Sequence, residues 1–99
     1  MKFMGTWNIP QDKLLPILRI WIGMSPREQM NAGEGVKIIG RWFDAAARQG
    51  VAIFESNDLV AAQRYIGKWN QHMDIDLLPV LDDEEATELA RQIVADSNA

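Results

Sequence analysis

Apolar residues alternate with period two at the start of the chain. In residues 2–9, Phe3, Gly5, Trp7 and Ile9 share one face of an extended strand, and Lys2, Met4, Thr6 and Asn8 share the other. The first set is largely apolar and is expected to face the core. Pro10 ends the strand, because proline has no N–H to give a ladder. The period then changes. Over residues 12–24, Leu14, Leu15, Leu18, Trp21 and Ile22 recur at helical spacing and predict a core stripe. Ile17, Ile20 and Met24 widen the apolar surface beyond what one side of a sheet can bury, so a partner subunit, a flap or a ligand is expected to cover the surplus. Pro16 has to sit in the first turn or kink the helix.

Residues 25–35 have no periodicity and two glycines, and are expected to be the longest loop. Residues 36–43 and 51–55 read as a strand pair joined by a long turn over 44–50. Ser56, Asn57 and Asp58 are good N-cap types for a helix over about 58–71, with Leu59, Ala62, Ile66 and Trp69 inward. Residues 73–81 form a fourth strand, which Pro79 pushes toward a sheet edge. Asp82 and Asp83 cap a last helix reaching about Ala95, with Ala86, Leu89, Ala90 and Ile93 on its apolar face.

The order β-α-β-β-α-β-α predicts an α+β fold, a ferredoxin-like βαββαβ sandwich with an extra C-terminal helix, as one domain over residues 1–99. Its helices would cover one sheet face only. The other would carry Met4, Thr6, Lys37 or Ile39, and Val51 or Ile53, a mixed surface that a homodimer could cover by pairing two sheets.

Composition narrows the class. The chain has 99 residues, a net charge of −4, 47% hydrophobic residues and no cysteine. Disorder, disulfides and cysteine-based zinc sites are thereby excluded. The longest apolar run, Leu14 to Met24, is broken by Pro16 and Arg19. It is about half the ~20 residues a membrane span needs. The opening Met1-Lys2-Phe3-Met4 lacks the apolar segment of a signal peptide, and a cytoplasmic protein is expected.

A set of short motifs runs along the chain: Met1-Lys2-Phe3-Met4 with Trp7 and Ile9-Pro10, Gly35-Val36-Lys37, Gly40-Arg41-Trp42, Glu55 with Asp58, Trp69, and Pro79-Val80-Leu81-Asp82-Asp83-Glu84-Glu85. In these the sequence resembles a bacterial domain-of-unknown-function family, family 3303. The resemblance implies a ferredoxin-like fold of the dimeric α+β barrel type and brings no established activity. Residues 24–34 depart from the proline-rich run usual in such relatives.

The same resemblance raises one catalytic candidate. Some dimeric α+β barrel proteins are cofactor-independent monooxygenases or haem-degrading enzymes, the latter using an Asn near the end of the first strand and a Trp and a His from the second helix. Asn8, Trp69 and His72 are the residues that would correspond. His72 could carry a proton or ligate a metal, since its ordinary pKa lies near neutrality. The three-residue spacing of Trp69 and His72 argues against the match, because those enzymes separate the two by several turns. The favoured reading makes Trp69 core, Asn8 a strand end and His72 an exposed helix end.

Arg41 and Trp42 are neighbours on a strand, so they point to opposite faces unless a bulge intervenes. Arg41 could bind a carboxylate, but a cross-strand ion pair with Glu55 is the favoured expectation. Asp82 to Glu85 read as helix capping, since calcium loops need a longer spacing and a glycine turn. Asp74 and Asp76 share a face of the fourth strand and read as guards of a solvated edge. Nucleic-acid binding is disfavoured by the net charge and by aliphatic residues at Val51 and Ile53, where base-stacking aromatics would be needed. No cofactor or metal site is expected.

Four tryptophans, Trp7, Trp21, Trp42 and Trp69, are many for this length. They either fill the core or line a cavity between the sheet and the first helix, open toward residues 25–35 and suited to a flat apolar ligand. The candidate ligand residues are thus Asn8, Trp21, Arg41, Trp42, Trp69 and His72. The function expected is a homodimeric small-molecule binding or interaction module. The alternatives are a cofactor-independent oxygenase acting on an aromatic or polyketide-like compound, and a structural or regulatory interaction domain.

Overall fold

The computed structural model describes residues 1–98. The chain forms β1 (Lys2–Asn8), a single 3-10 turn (Gln11–Lys13), α1 (Leu14–Ile22), α2 (Pro26–Gln29), β2 (Lys37–Asp44), β3 (Gln49–Glu55), α3 (Leu59–Asn70), β4 (Asp74–Val80) and α4 (Asp83–Ser97). The four strands make one antiparallel sheet in the order β2-β3-β1-β4, the ferredoxin-like arrangement expected from the element order. Pro79 lies on the edge strand β4, where its missing N–H leaves no gap in the interior of the sheet. No described helix is long and apolar enough to cross a membrane.

Phe3, Gly5 and Trp7 of β1 are buried on the helix-covered face, as their alternation requires. Two small apolar clusters sit there. Phe3, Phe54 and Ala62 form one, and Trp7, Ile17, Ala52 and Met73 the other. Val36, Ile66 and Leu77, half-buried, pack against the first, and Ile9, Trp69 and Ile75 against the second.

Several local expectations are corrected. In α1 the buried residue is Ile17, while Leu15, Leu18 and Ile22, expected in the core stripe, are exposed at 61%, 39% and 79%. Apolar residues ring this helix almost completely, so periodicity alone could not select its inner face. Pro16 sits in the first turn. Residues 25–35 are not all loop. Ser25 accepts from Glu28 N–H, Glu28 returns a bond to Ser25 N–H, and Pro26 opens the short α2 between them. β2 begins at Lys37 and β3 at Gln49, which shortens the connecting turn to residues 45–48. Lys37, not Arg41, opposes Glu55 at the start of the ladder, and a bulge at Ile39 then shifts the β2 register by one, so that Arg41 opposes Ala52. The expected Arg41–Glu55 pair is therefore absent. In α3, Ala61 and Ala62 are buried and Leu59 is exposed.

The last helix departs most. α4 buries no residue, and Leu89, Ile93 and Val94 stay open to solvent. The radius of gyration is 16.5 Å and the longest extent 56 Å, against about 13 Å radius for a compact domain of this length. α4 projects from the sheet layer.

Its start is nonetheless well anchored. Asp82 accepts from Glu85 N–H at 2.8 Å, Glu85 returns a bond to Asp82 N–H, and Lys2 Nζ lies 3.1 Å from Asp82. The Glu85 amide first, and the Lys2 ammonium next, hold the Asp82 carboxyl below the ordinary carboxylate range. A carboxyl depressed in the folded state stabilises it above the ordinary value and loses that contribution as pH falls through the depressed one. Acid is therefore expected to loosen the first turn of α4 below about pH 4. The Glu85 amide shift, followed by NMR, should titrate with a midpoint below the ordinary aspartate value. Asp82→Asn keeps the cap and should abolish that step. A midpoint at or above the ordinary value would contradict the assignment.

Candidate functional site

The helix-covered face does not close completely. Between the sheet and helices α1 and α3 lies a half-open cavity of about 200 Å³. Its floor is Trp7 of β1 with Ala52 of β3, its far end Met73 and Ile75, and its helical wall Ile17, Leu18 and Trp21. Trp69 of α3 and Phe43 of β2 complete it.

Four rings make the polarisable wall. Phe43 lies 5.7 Å from Trp7 and 5.3 Å from Trp21, both at steep interplanar angles, and Trp21 lies 6.5 Å from Trp69 edge-on. Such edge-to-face contacts hold rings in fixed orientations without stacking them flat, which leaves faces available to a guest. Gly50 explains how Trp7 can lie so low. It opposes Trp7 in the β1–β3 ladder, and the indole crosses the space that a side chain at residue 50 would fill.

Arg41 sits at the edge of this wall. Its guanidinium carbon is 4.8 Å from the centre of the Trp21 ring, a cation–π contact, and Nη2 donates to the Gln29 carbonyl at 2.8 Å. The Gln29 side chain in turn donates to the Trp21 carbonyl at 3.2 Å. α2 thus fastens the end of α1 to β2 at the rim. Arg48 also lines the cavity, its Nε donating to the Ile9 carbonyl at 3.2 Å.

The sequence-derived candidates divide into three groups. Trp21, Arg41 and Trp69 meet at the cavity. Asn8 is exposed at the end of β1, opposite Gln49 and Asp74, on the uncovered sheet face. Trp42 is on that same uncovered face, 60% exposed, with its ring folded back over Gly40. His72 is half-buried just after α3, its ring edge-on to Trp69 at 6.2 Å, and it lines a second, more open depression with Trp69, Ile20 and Met24. Asn8, Trp69 and His72 therefore do not converge. Among the described residues no group of three or more His, Asp or Glu could hold a metal ion.

Phe43 and Arg48 were not singled out from the sequence. The signal for Phe43 was its two-residue offset from Arg41, which puts both on one strand face. Nothing in the sequence pointed to Arg48, which reaches the cavity because the β2–β3 turn folds it back. The cavity lining holds no carboxylate and no histidine. It can enclose a flat apolar group and can meet a negative one.

No curated protein and no solved structure matches the chain. Its residues 1–94 match the family described as Domain of unknown function (DUF3303), nearly the whole length over which this fold and cavity are built, and the chain belongs to that family.

Proposed function

We propose that the protein binds a small, flat, largely apolar ligand in the cavity between its sheet and α1, and that it does so as a homodimer. The observation that carries the reading is the half-open, ring-lined space of about 200 Å³. A dry apolar cavity of about 150 Å³ is enough to take up benzene. Toward the neighbouring cluster the cavity ends on Phe54, 0% exposed, and beyond it Phe3 is 2% exposed and does not line the cavity, so the same sheet face packs tightly there.

The test is titration with N-phenyl-1-naphthylamine, a neutral apolar probe that brightens when enclosed. Saturable binding is expected. Leu18→Trp, at an exposed position on the cavity wall, should weaken it at least tenfold without loss of helical signal. Equal binding by both proteins would place the probe elsewhere and overturn the reading.

The proposed dimer covers the uncovered sheet face. Met4, Ile39, Trp42, Val51, Ile53 and Leu78 form an apolar field there. Lys2 and Lys37 lie at one end of it with Glu55 between them, a net positive end, and Asp44, Asp74 and Asp76 lie at the other. A two-fold that runs the strands antiparallel across the interface sets basic end on acidic end. Four strands and the stripe of α4 present roughly 650 Å² per protomer, about 1,300 Å² in all, within the range of stable interfaces. The projecting α4, with Leu89, Ile93 and Val94 open, would lie against the second copy. Native mass spectrometry should give twice the chain mass, and a clean monomer would sink this assembly.

A further inference from the structure

We infer that the ligand is an anion, an aromatic carboxylate whose ring occupies the cavity and whose charge is met by Arg41, with Arg48 nearby on the same rim. This rests on the binding reading above and narrows it.

The cavity's charge composition carries the inference. The chain has 14 acidic residues against 10 basic ones. Yet every charged residue lining the cavity is an arginine, and no acid lines it at all. Among the described residues, neither Arg41 nor Arg48 has a carboxylate within 4.0 Å; the ion pairs present are Lys2–Asp82 and Glu88–Arg91. In an acidic protein, a cation at the edge of an apolar space would ordinarily be neutralised by a neighbouring carboxylate. Here the neighbours are carbonyls and rings.

The geometry fits the same guest. A guanidinium has five N–H donors. Arg41 gives one to Gln29 and holds its plane near the Trp21 ring, which leaves donors for an outside acceptor. Its backbone is set by the β2–β3 ladder opposite Ala52, and its head by Gln29 and Trp21, so little ordering remains on binding. Arginine is the side chain that matches a carboxylate with two parallel bonds. Arg48 adds a second observation. It adopts φ 54°, a left-handed conformation that favours glycine or asparagine. That turn could close more easily without it. The Ile9 N–H donates to the Arg48 carbonyl at 2.7 Å, and Arg48 Nε donates to the Ile9 carbonyl, so the arginine is fastened beside the cavity floor. The space allows one or two fused rings with a short acidic substituent.

Calorimetric titration of 2-naphthoate against 2-naphthamide separates the possibilities. The two have the same ring system and nearly the same shape, and differ in charge. The wild-type protein should bind the naphthoate at least tenfold more tightly at neutral pH, and that preference should shrink as salt is raised. Arg41→Met should bring the two affinities within about threefold of each other by weakening naphthoate alone. Equal affinities in the wild type would overturn the anion while leaving the cavity reading intact. Absence of binding by both would remove the cavity reading and the inference with it. An unchanged preference in a folded Arg41→Met protein would overturn the assignment to Arg41. If that variant fails to fold, the wild-type comparison of the two compounds still decides on the charge.

Discussion

Phe54→Ala is expected to destabilise the folded state by about 3–5 kcal/mol, the range for removing a fully buried aromatic ring. Phe54 is 0% exposed, on the interior strand β3. Its ring lies 5.7 Å from Phe3 in a near-parallel stack and 6.0 Å from Tyr65 edge-on, with Ala62 and Ile66 over it. Truncation removes the transfer free energy of the ring and leaves a void that strands on both sides hold open. For a domain of this size total stability is about 5–15 kcal/mol, so the variant would keep little margin. The melting temperature should fall by more than 10 °C, since each kcal/mol is worth about 4–8 °C here. Urea denaturation checks the size of the effect. A loss under about 1.5 kcal/mol would mean that this cluster rearranges to fill the gap. Phe43→Ala is the useful contrast, because that ring is 55% exposed and its removal should cost far less stability.

Gly50→Ala should be nearly as damaging, for the opposite reason. A methyl group there would fall inside the Trp7 indole and 2.8 Å from the Trp42 carbonyl oxygen. The indole could swing away, but the carbonyl belongs to the β2–β3 ladder and cannot move without breaking pairing. Overpacking of this kind costs typically 1–3 kcal/mol and sometimes more. It would also remove the cavity floor, so naphthylamine binding should be lost together with stability. Gly67→Ala is the matched control. It lies in the exposed middle of α3, with nothing within 4 Å of the added methyl, and should stabilise the protein by about 0.5–1 kcal/mol. If Gly50→Ala were as stable as the wild type and still bound the probe, the described seat of Trp7 would be wrong.

The open face and the cavity lie on opposite sides of one sheet, which couples the two proposals. Arg41 and Trp42 are adjacent in β2, one at the cavity and the other in the uncovered field. A second copy seated on Trp42 would brace the strand that carries Arg41, so ligand affinity and dimerisation are expected to support each other.

Much of this molecule is legible along the chain. The strict alternation of Phe3, Gly5 and Trp7 set the inner face of β1, because a strand offers only two faces and one of them is apolar. Pro79 placed β4 at an edge, and Asp58 and Asp82 marked where two helices start, because these depend on neighbours a few residues away. The same locality applies to the Ser25–Glu28 capping box, whose S-x-x-E signature stands in the sequence inside the expected loop.

What tertiary structure alone decided has one physical cause: each case depends on which distant surfaces meet. α1 is apolar nearly all round, so only contact with the sheet turned Ile17 inward and left Leu15 and Ile22 outside. The surroundings of Arg41 depended on the single-residue bulge at Ile39, which moved it from a register opposite Val51, on the uncovered face, to one opposite Ala52 beside Trp21. The cavity draws Trp7, Trp21, Phe43 and Trp69 from four separate elements, and no local pattern records that their rings would stop short of closing. The stripe of α4 is visible in the sequence as amphipathic, but hydrophobic burial is non-directional, and whether that stripe meets its own sheet or another surface is settled only by where the chain leaves β4.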